Sequence, residues 1–546
     1  MTKEKTEIPV KYDAVIVGGG IAGLTAAAFL SKEGRSVLLC EKESKVGGLV
    51  NTFSLNGFSF DGGIRATENS GVLHPMLARL GIDVTFVSNN VSIGIEDSIV
   101  TAISKESLED YRMMLKEQFP DNTADVDAII CEITMIMKYM DILYGIDNPI
   151  FMDMKKDRKY LLGTILPWLF KYIVTIGKIR RLQTPVDEYL GALTDNQVLI
   201  DIIAQHFFKK TPTFFALSYF SLYLDYRYPK GGTGALIGKI ADFISGHKGD
   251  IRTDTKIIRV DAANHIVTSL SGEEFTYDRL IWASDMKRFY EYLDLSGITE
   301  GKILEEIRQK KALIADKTGG DSVITTYLTI DLDKSRFENI CSEHLFYTPV
   351  KQGLSGCPLS DIIVSGTSGV PVFTSDKASV VAWLEKYYAR TTYEISCPVM
   401  RDVSMAPEGK TGLIVSTLME HSLVKHIESM GWYDEFKEFS HTHMLKALEE
   451  GIFYGITQHV TGKVVATPLS IEKLTGNSDG AITGWAFTNK SIPAVSDIAK
   501  VMKSVLTPVP DIYQAGQWTY SPSGFPISIM TGKIAADKVL RDLKRS

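Results

Sequence analysis

The chain has 546 residues, 45% of them apolar and 23% charged, so it is long enough for several domains and too apolar for a disordered protein. Its formal net charge of −7 provides no basic field that would favour nucleic acid, so no nucleic-acid partner is predicted. Five cysteines without a Cys-x-x-Cys pair predict neither a disulfide framework nor a structural zinc site, and they fit a reducing compartment. The charged N-terminus, residues 1–13, lacks an apolar segment, so no signal peptide is predicted.

The first fifty residues have the pattern of a βαβ unit. Residues 14–17 (AVIV) are a continuous apolar run, as expected of a buried parallel strand. Residues 21–31 are rich in Ala and Leu and predict a helix that ends near Gly34. A second apolar strand is predicted over residues 36–40, directly before Glu41.

A glycine fingerprint joins the first strand to the first helix. Gly18 permits a tight turn, Gly20 lets the backbone approach a pyrophosphate, and Gly23 permits close packing of the helix on the strand. The helix N-terminus at Ile21 and Ala22 offers free N–H groups and the positive end of the helix dipole. This spacing predicts a dinucleotide site at the turn.

An acidic residue and a second glycine pair extend the predicted site. A carboxylate at Glu41 accepts hydrogen bonds from ribose hydroxyls and repels a 2′-phosphate, which disfavours NADP. Gly47-Gly48 then lets the chain pass close to an extended cofactor, and Lys42 and Leu49 lie within the same segment.

Several motifs resemble those of one enzyme family. Residues 47–52 resemble the GG(R)xxT segment of flavin-dependent amine oxidases and carotenoid desaturases, with Leu49 where Arg is usual. Residues 228–236 (YPKGGTGAL) and 406–410 (APEGK) resemble segments of phytoene desaturases, carotenoid isomerases and retinol saturase-like proteins. Residues 516–526 resemble their C-terminal FAD motif, with Tyr520 within a segment where His-Pro-Gly-Ala-Gly is frequent. The motifs keep the family order over nearly the whole chain.

The resemblance implies the fold and the domains. We expect an α/β protein with a discontinuous Rossmann-type FAD-binding domain and a mixed α+β substrate domain, part of it helical and membrane-facing. The FAD-binding domain is predicted to comprise residues 1–80, 228–300 and 485–546. The substrate domain is predicted to comprise residues 81–227 and 301–484, with 106–227 mainly helical.

The resemblance also implies site residues for the cofactor FAD. The residues expected to bind it are Gly18, Gly20, Ile21, Ala22, Gly23, Glu41, Lys42, Gly48, Leu49, Ile258, Val260, Ala283, Gly516, Gln517, Gly524, Phe525 and Pro526. The catalytic candidates are Arg65, which would stabilise a reduced flavin anion, and Tyr520, which would donate a proton or pack on the substrate. An ion pair between domains for Arg65 and simple packing for Tyr520 are the alternatives. No metal site is predicted, because His441 and His443 lie in a polar pattern typical of a solvated helix face.

The implied function is FAD-dependent oxidoreduction of carbon–carbon bonds in a polyene or isoprenoid lipid such as a carotenoid or retinoid. Desaturation, saturation and isomerisation stay open, and no second nucleotide motif identifies an electron donor or acceptor. Two other hypotheses are a flavin amine oxidase, which would need a polar pocket for a cation, and a non-catalytic isoprenoid-binding carrier of the same fold.

An apolar stretch with basic flanks predicts a lipid contact. Residues 160–177 (YLLGTILPWLFKYIVTIG) are shorter than the roughly 20 apolar residues of a membrane span. Residues 155–182 contain eight lysines and arginines and one acid, a local charge of +7 in a chain of net charge −7. We therefore expect a cytoplasmic protein that associates peripherally with an anionic membrane and takes an apolar lipid substrate from it. Burial of this stretch in the substrate domain is the alternative.

Overall fold

The structure is a computed structural model that describes residues 10–152, 158–366 and 369–545. Its strands in chain order are β1 (Lys11–Val17), β2 (Val37–Cys40), β3 (Thr52–Leu55), β4 (Phe58–Asp61), β5 (Thr67–Glu68), β6 (Phe86–Ser88), β7 (Val91–Ile95), β8 (Ser98–Ala102), β9 (Tyr226–Pro229), β10 (Asp250–Arg252), β11 (Ile257–Asp261), β12 (Ile266–Ser269), β13 (Glu274–Trp282), β14 (Leu293–Asp294), β15 (Ser322–Ile330), β16 (His344–Thr348), β17 (Ile363–Ser365), β18 (Pro371–Phe373), β19 (Tyr393–Ser396), β20 (Thr411–Met419), β21 (Val460–Ala466) and β22 (Ile512–Gln514).

Its helices in chain order are α1 (Ile21–Lys32), α2 (Leu73–Leu80), α3 (Ser107–Gln118), α4 (Thr123–Tyr144), α5 (Arg158–Ile179), α6 (Val186–Leu190), α7 (Gln197–Ala204), α8 (Thr213–Leu217), α9 (Tyr219–Asp225), α10 (Thr233–Gly246), α11 (Met286–Tyr292), α12 (Gly301–Ala315), α13 (Ser335–Glu338), α14 (Lys377–Arg390), α15 (Pro398–Arg401), α16 (His421–Ser429), α17 (Tyr433–Glu450), α18 (Pro468–Thr475) and α19 (Phe525–Leu543).

Strands from the start, middle and end of the chain form one sheet. Its order is β10-β2-β1-β13-β12-β11-β14, and β22 also pairs with β13. In the parallel register, Val17 lies beside both Cys40 and Trp282, and Trp282 lies beside Gln514. The carboxyl ends of β1, β2, β13 and β22 therefore coincide, and the turns that follow them meet at one edge of the sheet.

Helix α1 is buried on all sides behind this edge. Eleven of its residues, from Ile21 to Ser31, are buried, because α1 lies between the sheet, α10 and α19. Helix α19 approaches closely: a Cβ built at Gly532 would lie 2.3 Å from the carbonyl oxygen of Ala22. The first turn of α1 is thus held from two directions by packed backbone.

A second sheet, of order β21-β15-β20-β19-β16-β7-β8, carries the other half of the molecule. It is antiparallel except for the pair β16–β7. Helices α14, α16 and α17 pack with it in one core, and α3, α4 and α6 to α9 form a separate apolar cluster at the β7–β8 edge. The predicted α/β class with a Rossmann-type domain is confirmed.

Two segments pack in a different core from the one that the predicted domain boundaries assign to them. Helix α12 contributes Ile307 and Ile314 to the core of the first sheet, where they join Trp282. The hairpin β3–β4 contributes Phe58 and Phe60 to the core of the second sheet. Each segment has an apolar face that packs in the core where it lies. The position of a motif in the sequence does not indicate which core such a face joins.

Helix α5 exposes its apolar residues. The exposed fractions of Leu162, Phe170 and Ile173 are 67%, 74% and 63%. In its last three turns, burial is limited to Thr175, Ile176 and Ile179. The alternative that this stretch is buried in the substrate domain is therefore wrong.

Among the described residues, α5 alone has the length and apolar composition of a membrane-crossing helix, a criterion that by itself is weak evidence. Its 22 residues exceed the predicted stretch, because the helix continues into the polar flanks. Three residues of the predicted basic flank, Lys155, Lys156 and Asp157, lie outside the described residues.

Candidate active site

One large cavity lies against both sheets. Its volume is about 1340 Å³, above the roughly 300–1,000 Å³ of a typical ligand pocket. One end is lined by the turns that follow β1, β2 and β13, and the other by strands of the second sheet and aromatic residues before β9. A cavity of this size has room for a dinucleotide and a second molecule.

The turn after β1 needs two of its glycines for packing. Gly18 has a φ of +110°, and a Cβ there would lie 2.7 Å from the carbonyl oxygen of Ala283. A Cβ at Gly23 would lie 2.0 Å from the carbonyl oxygen of Gly18. Both glycines are therefore required by the fold itself, and Gly23 acts in helix–strand packing without lining the cavity.

Gly20 is different, because the protein alone does not require a glycine there. Its φ of −71° and ψ of 176° suit any residue, and a Cβ at Gly20 would meet no atom within 4 Å. That Cβ would project into the cavity, which Gly20 lines. The missing side chain thus leaves space for a molecule that contacts the backbone.

The N-terminus of α1 faces the same space. Ile21 and Ala22 line the cavity, and no side chain caps the helix at Gly20. The first amides of a helix have no partner within it, so they are available to a ligand. A phosphate at this turn would meet free N–H donors and the positive end of the helix dipole.

Glu41 lies at the end of β2, on the cavity wall. Its carboxylate accepts hydrogen bonds from the backbone amides of Gly19 (2.7 Å) and Glu43 (2.9 Å). Burial raises the pKa of this carboxyl, and the two amides oppose the rise. This geometry holds an acidic group where a ribose would lie.

The segment after Glu41 also lines the cavity. Gly48 and Leu49 contribute to the wall. Lys42 lies there too, but its ammonium donates to the carbonyl oxygens of Lys473 (2.9 Å) and Leu474 (2.8 Å) near the C-terminus of α18. Lys42 thus connects the first sheet to α18 through hydrogen bonds at the cavity wall.

The C-terminal segment closes the cavity from a third direction. Gly516, Gln517, Gly524 and Phe525 line it, and Phe525 begins α19. The N-terminus of α19 therefore reaches the cavity as that of α1 does. A helix N-terminus favours negative charge on a group placed before it.

The far end of the cavity is an aromatic chamber, lined by His206, Phe207, Phe215, Tyr219, Tyr226 and Phe346. The rings contact one another; the centroids of Phe207 and Tyr219, for example, are 5.1 Å apart. Burial lowers the pKa of His206 to about 4, so this side chain is neutral at neutral pH. A smaller cavity of about 50 Å³ adjoins the chamber at Tyr219 and Phe346.

A buried ion pair crosses the cavity wall between these two ends. The Arg65 guanidinium pairs with the Glu394 carboxylate at 2.5 Å and also donates to the hydroxyl of Ser416. His344 Nε2 lies 3.0 Å from the other Glu394 oxygen. Arg65 thus makes an ion pair with β19 of the second sheet. This contact matches the alternative role stated for Arg65, an ion pair between domains.

The ion pair, the hydrogen bonds and burial together determine the protonation states of the side chains in this cluster. Burial alone would raise the pKa of Glu394, but Arg65 and His344 outweigh it and hold the pKa at about 2. Burial lowers the pKa of His344, so this imidazole is neutral near pH 7. Arg65 and Glu394 therefore form a paired cation and anion, and Arg65 is not a free positive charge.

Comparisons with known proteins place the chain in a wider group. A family model described as an NAD(P)-binding Rossmann-like domain matches residues 16–80. A 4,4'-diapophytoene desaturase (4,4'-diaponeurosporene-forming) of Staphylococcus aureus is 22% identical over 97% of this chain and 99% of its own. An inactive all-trans-retinol 13,14-reductase of Danio rerio is 25% identical over 46% of this chain, and the match spans only 43% of that protein. Along nearly its whole length, the chain is therefore similar to a phytoene desaturase-type oxidoreductase.

Solved structures agree on the fold of this phytoene desaturase-like chain. An oxidoreductase from Methanosarcina mazei has a TM-score of 0.59 at 15% identity, covering 97% of this chain and 100% of its own. A putrescine oxidase has a TM-score of 0.55 at 12% identity, covering 97% of this chain and 99% of its own. At these identities the likeness concerns the fold alone.

Five predicted site residues do not line the cavity: Gly23, Ile258, Val260, Pro526 and Tyr520. In β11 it is Ile257, not Ile258 or Val260, that lines the wall, because the pairing with β12 shifts register between Ile257 and Arg259. Pro526 lies in the first turn of α19 without lining the cavity.

Tyr520 also lies away from the cavity. Tyr520 is buried and forms a short β-bridge with Val495, and it does not line the cavity. A catalytic role at the cavity is therefore not supported for Tyr520, and the packing alternative fits its position.

Two residues of the site were not predicted from the sequence: His344 and Glu394. His344 and Glu394 lie on strands of the second sheet, where no motif marks them. Glu68 follows Asp61-Gly62-Gly63, a segment whose place in the sequence predicts proximity to the flavin, and it lines the cavity. The predicted solvated face at His441 is wrong: His441 is 7% exposed and bonds to Thr326. No cluster of three metal-ligating side chains occurs in the described part of the chain.

Proposed function

We propose that the protein is an FAD-dependent oxidoreductase that acts on carbon–carbon bonds of a polyene or isoprenoid lipid. One observation carries this proposal: a single cavity joins a dinucleotide-type turn at Gly20 to an aromatic chamber. The activity named for the desaturase relative, which matches 97% of this chain, supports the choice of substrate class. Desaturation, saturation and isomerisation are all compatible with this cavity.

The residues present fit FAD. The space in front of Gly20 would admit the pyrophosphate, and Glu41 would accept bonds from the adenosine ribose. The wall formed by Gly516 to Phe525 would hold the flavin end, where the N-terminus of α19 favours negative charge. When bound, the flavin would supply hydride acceptance or donation.

The chamber favours an apolar substrate over an amine. The charges of Arg65 and Glu394 neutralise each other, and His206 is neutral, so these groups offer no free anion to a cation, and Glu68 is only partly ionised near neutral pH. Aromatic side chains and the adjoining 50 Å³ cavity offer contact to a long hydrocarbon. This chemistry favours the polyene hypothesis over the amine oxidase hypothesis.

The decisive experiment combines flavin uptake with anaerobic turnover. We expect the purified protein to bind FAD, and the flavin absorbance to change on mixing with a polyene lipid but not with primary amines. Any lipid that copurifies with the protein should be extracted and identified first, because it is the best candidate substrate. Bleaching by amines alone would establish the amine oxidase hypothesis, and a protein that binds isoprenoids but no FAD would establish the carrier.

Helix α5 is proposed to dock on an anionic membrane. Its exposed apolar side chains recur at helical spacing and form one stripe, comprising Leu162, Leu166, Leu169, Phe170 and Ile173. Lys171 and Lys178 are exposed and seven positions apart, so they share one side of the helix. Apolar insertion flanked by basic charge suits an interfacial helix, at about 1 kcal/mol per basic residue near anionic lipid.

The docking helix also lies next to the substrate cavity. On its inner side, Ile176 packs with Tyr172 and Phe214. The next residue, Phe215, lines the aromatic chamber. A lipid leaving the membrane at α5 would therefore have a short path to the cavity.

The double variant Phe170→Ser/Ile173→Ser is expected to bind phosphatidylserine vesicles at least about tenfold more weakly, because two inserted side chains are lost. Sedimentation with vesicles measures this, and added salt should weaken the wild type. Val403→Ser is the matched control, since Val403 is 72% exposed outside α5. Equal binding by the double variant and the control would refute docking through α5.

A further inference from the structure

Glu68 is an acid without a basic partner on the wall of the cavity. It ends β5 and pairs in the ladder with Tyr226 of the aromatic chamber. Among the described residues, no other side chain donates a hydrogen bond to its carboxyl, and the only charged group that acts on it is another acid, Asp225. An acid in this setting has no structural ion pair to explain it.

Glu68 and its strand have contacts toward both ends of the cavity. Arg65, three residues earlier, also lines the wall. Strand β5 contacts α19, whose N-terminus at Phe525 lines the proposed flavin end. On the other side, Glu68 acts electrostatically on Tyr219 of the chamber. Glu68 thus lines a part of the cavity that borders both α19 and the aromatic chamber.

Near neutral pH, the Glu68 carboxyl is present in both its protonated and its ionised form. Burial raises the pKa of its carboxyl to about 7, and the Asp225 carboxylate adds to the rise. Asp225 accepts a hydrogen bond from the Ser70 amide at 2.9 Å, which keeps it beside Glu68. The other titratable groups coupled to Glu68 are Tyr144, Tyr219 and Tyr226, and burial raises the pKa of each, so they stay neutral.

We propose that Glu68 exchanges the proton that accompanies hydride transfer at the carbon–carbon bond. This inference rests on the proposed function. In the oxidative direction, one C–H bond breaks and its electron pair leaves as hydride to oxidised flavin. The neighbouring C–H bond breaks, its electron pair forms the C=C bond, and its proton forms an O–H bond on the Glu68 carboxylate, which later releases it to water. In the reductive direction, protonated Glu68 delivers the proton and reduced flavin the hydride.

The first test uses Glu68→Gln, which keeps the size of the side chain and removes its titration. In the holoenzyme, single-turnover rates with the polyene substrate should fall by about 10²- to 10⁴-fold, the usual contribution of a general acid or base. The pH dependence centred near 7 should disappear, with little change in substrate KM. Glu109→Gln, on the exposed surface of α3, should behave as the wild type.

The second test needs no turnover. In protein labelled with ¹³C at the glutamate carboxyl carbons, one NMR signal should titrate near pH 7 and be absent from Glu68→Gln. Asp225→Asn should lower its midpoint, because a neighbouring negative charge is removed.

The outcomes separate the two proposals. A wild-type rate in an active Glu68→Gln holoenzyme, or a Glu68 signal that titrates near 4.5, overturns the role of Glu68 and leaves the proposed function intact. A wild-type holoenzyme that binds FAD and leaves every polyene unchanged overturns both.

Discussion

Gly20→Val is expected to weaken FAD binding by at least about tenfold, the cost of forcing extra methyl groups into a fitted contact. The protein should still fold, because the backbone at Gly20 suits any residue and a Cβ there meets no protein atom within 4 Å. The unfolding free energy should change by no more than about 1 kcal/mol, the difference between Gly and an apolar residue at an N-cap. Fluorescence titration with FAD and thermal unfolding without FAD measure the two quantities.

The control for this prediction is Gly23→Val, three positions later on the same turn. A Cβ at Gly23 would lie 2.0 Å from the carbonyl oxygen of Gly18 and 3.3 Å from the Ala283 Cβ. It should therefore destabilise the fold by about 3 kcal/mol even without a cofactor. If Gly20→Val binds FAD as the wild type does, the pyrophosphate does not lie at this turn. This result would contradict the proposed redox function.

Arg65→Met is expected to destabilise the protein by about 2 to 3 kcal/mol, because it leaves the Glu394 carboxylate without its cation. The figure lies below that of a fully buried pair, since 32% of the Glu394 side chain is exposed to the cavity. Removing both charges in Arg65→Met/Glu394→Gln should restore most of the loss. Denaturant unfolding of the wild type, both single variants and the double variant measures the coupling.

The pH dependence of this effect has a definite sign. The pKa of Glu394 is lowered from its ordinary 4.5 to about 2 in the folded protein. The stabilisation from the ion pair is therefore complete above pH 4.5 and lost as the pH falls toward 2. The stability difference between the wild type and Arg65→Met should shrink over this window. A difference that is constant from pH 7 to pH 3 would contradict the ion pair.

The proton-transfer and docking proposals can be tested separately from these two. Glu68 belongs to the cavity wall, whereas the apolar stripe of α5 faces away from the protein. A variant that loses vesicle binding should keep FAD binding and reduction of the flavin by a substrate supplied in detergent. Loss of both together would indicate that α5 also holds the cavity in shape through Ile176 and Phe214.

The dinucleotide turn and the parallel strands that carry it were predictable from the amino-acid sequence alone. Tight turns, glycine spacing and continuous apolar runs are local properties, since each depends on the conformation of a few neighbouring residues. For this reason the segments at Gly18 and Glu41 could be predicted from local pattern, and the family resemblance added Ala283 and Gly516 to the same FAD-binding domain. The order of the motifs indicated the similarity to phytoene desaturases in the same way.

The residues that face the proposed substrate were not predictable in this way, because they depend on long-range packing. Glu394 and His344 come to Arg65 through the pairing of β16 with β19, a contact between residues far apart in the chain. Tyr520 does not line the cavity although its motif does. Side-chain direction in a strand alternates with register, and register is set by long-range packing that no short sequence window contains. The aromatic chamber and the orientation of α5 were decided by that packing.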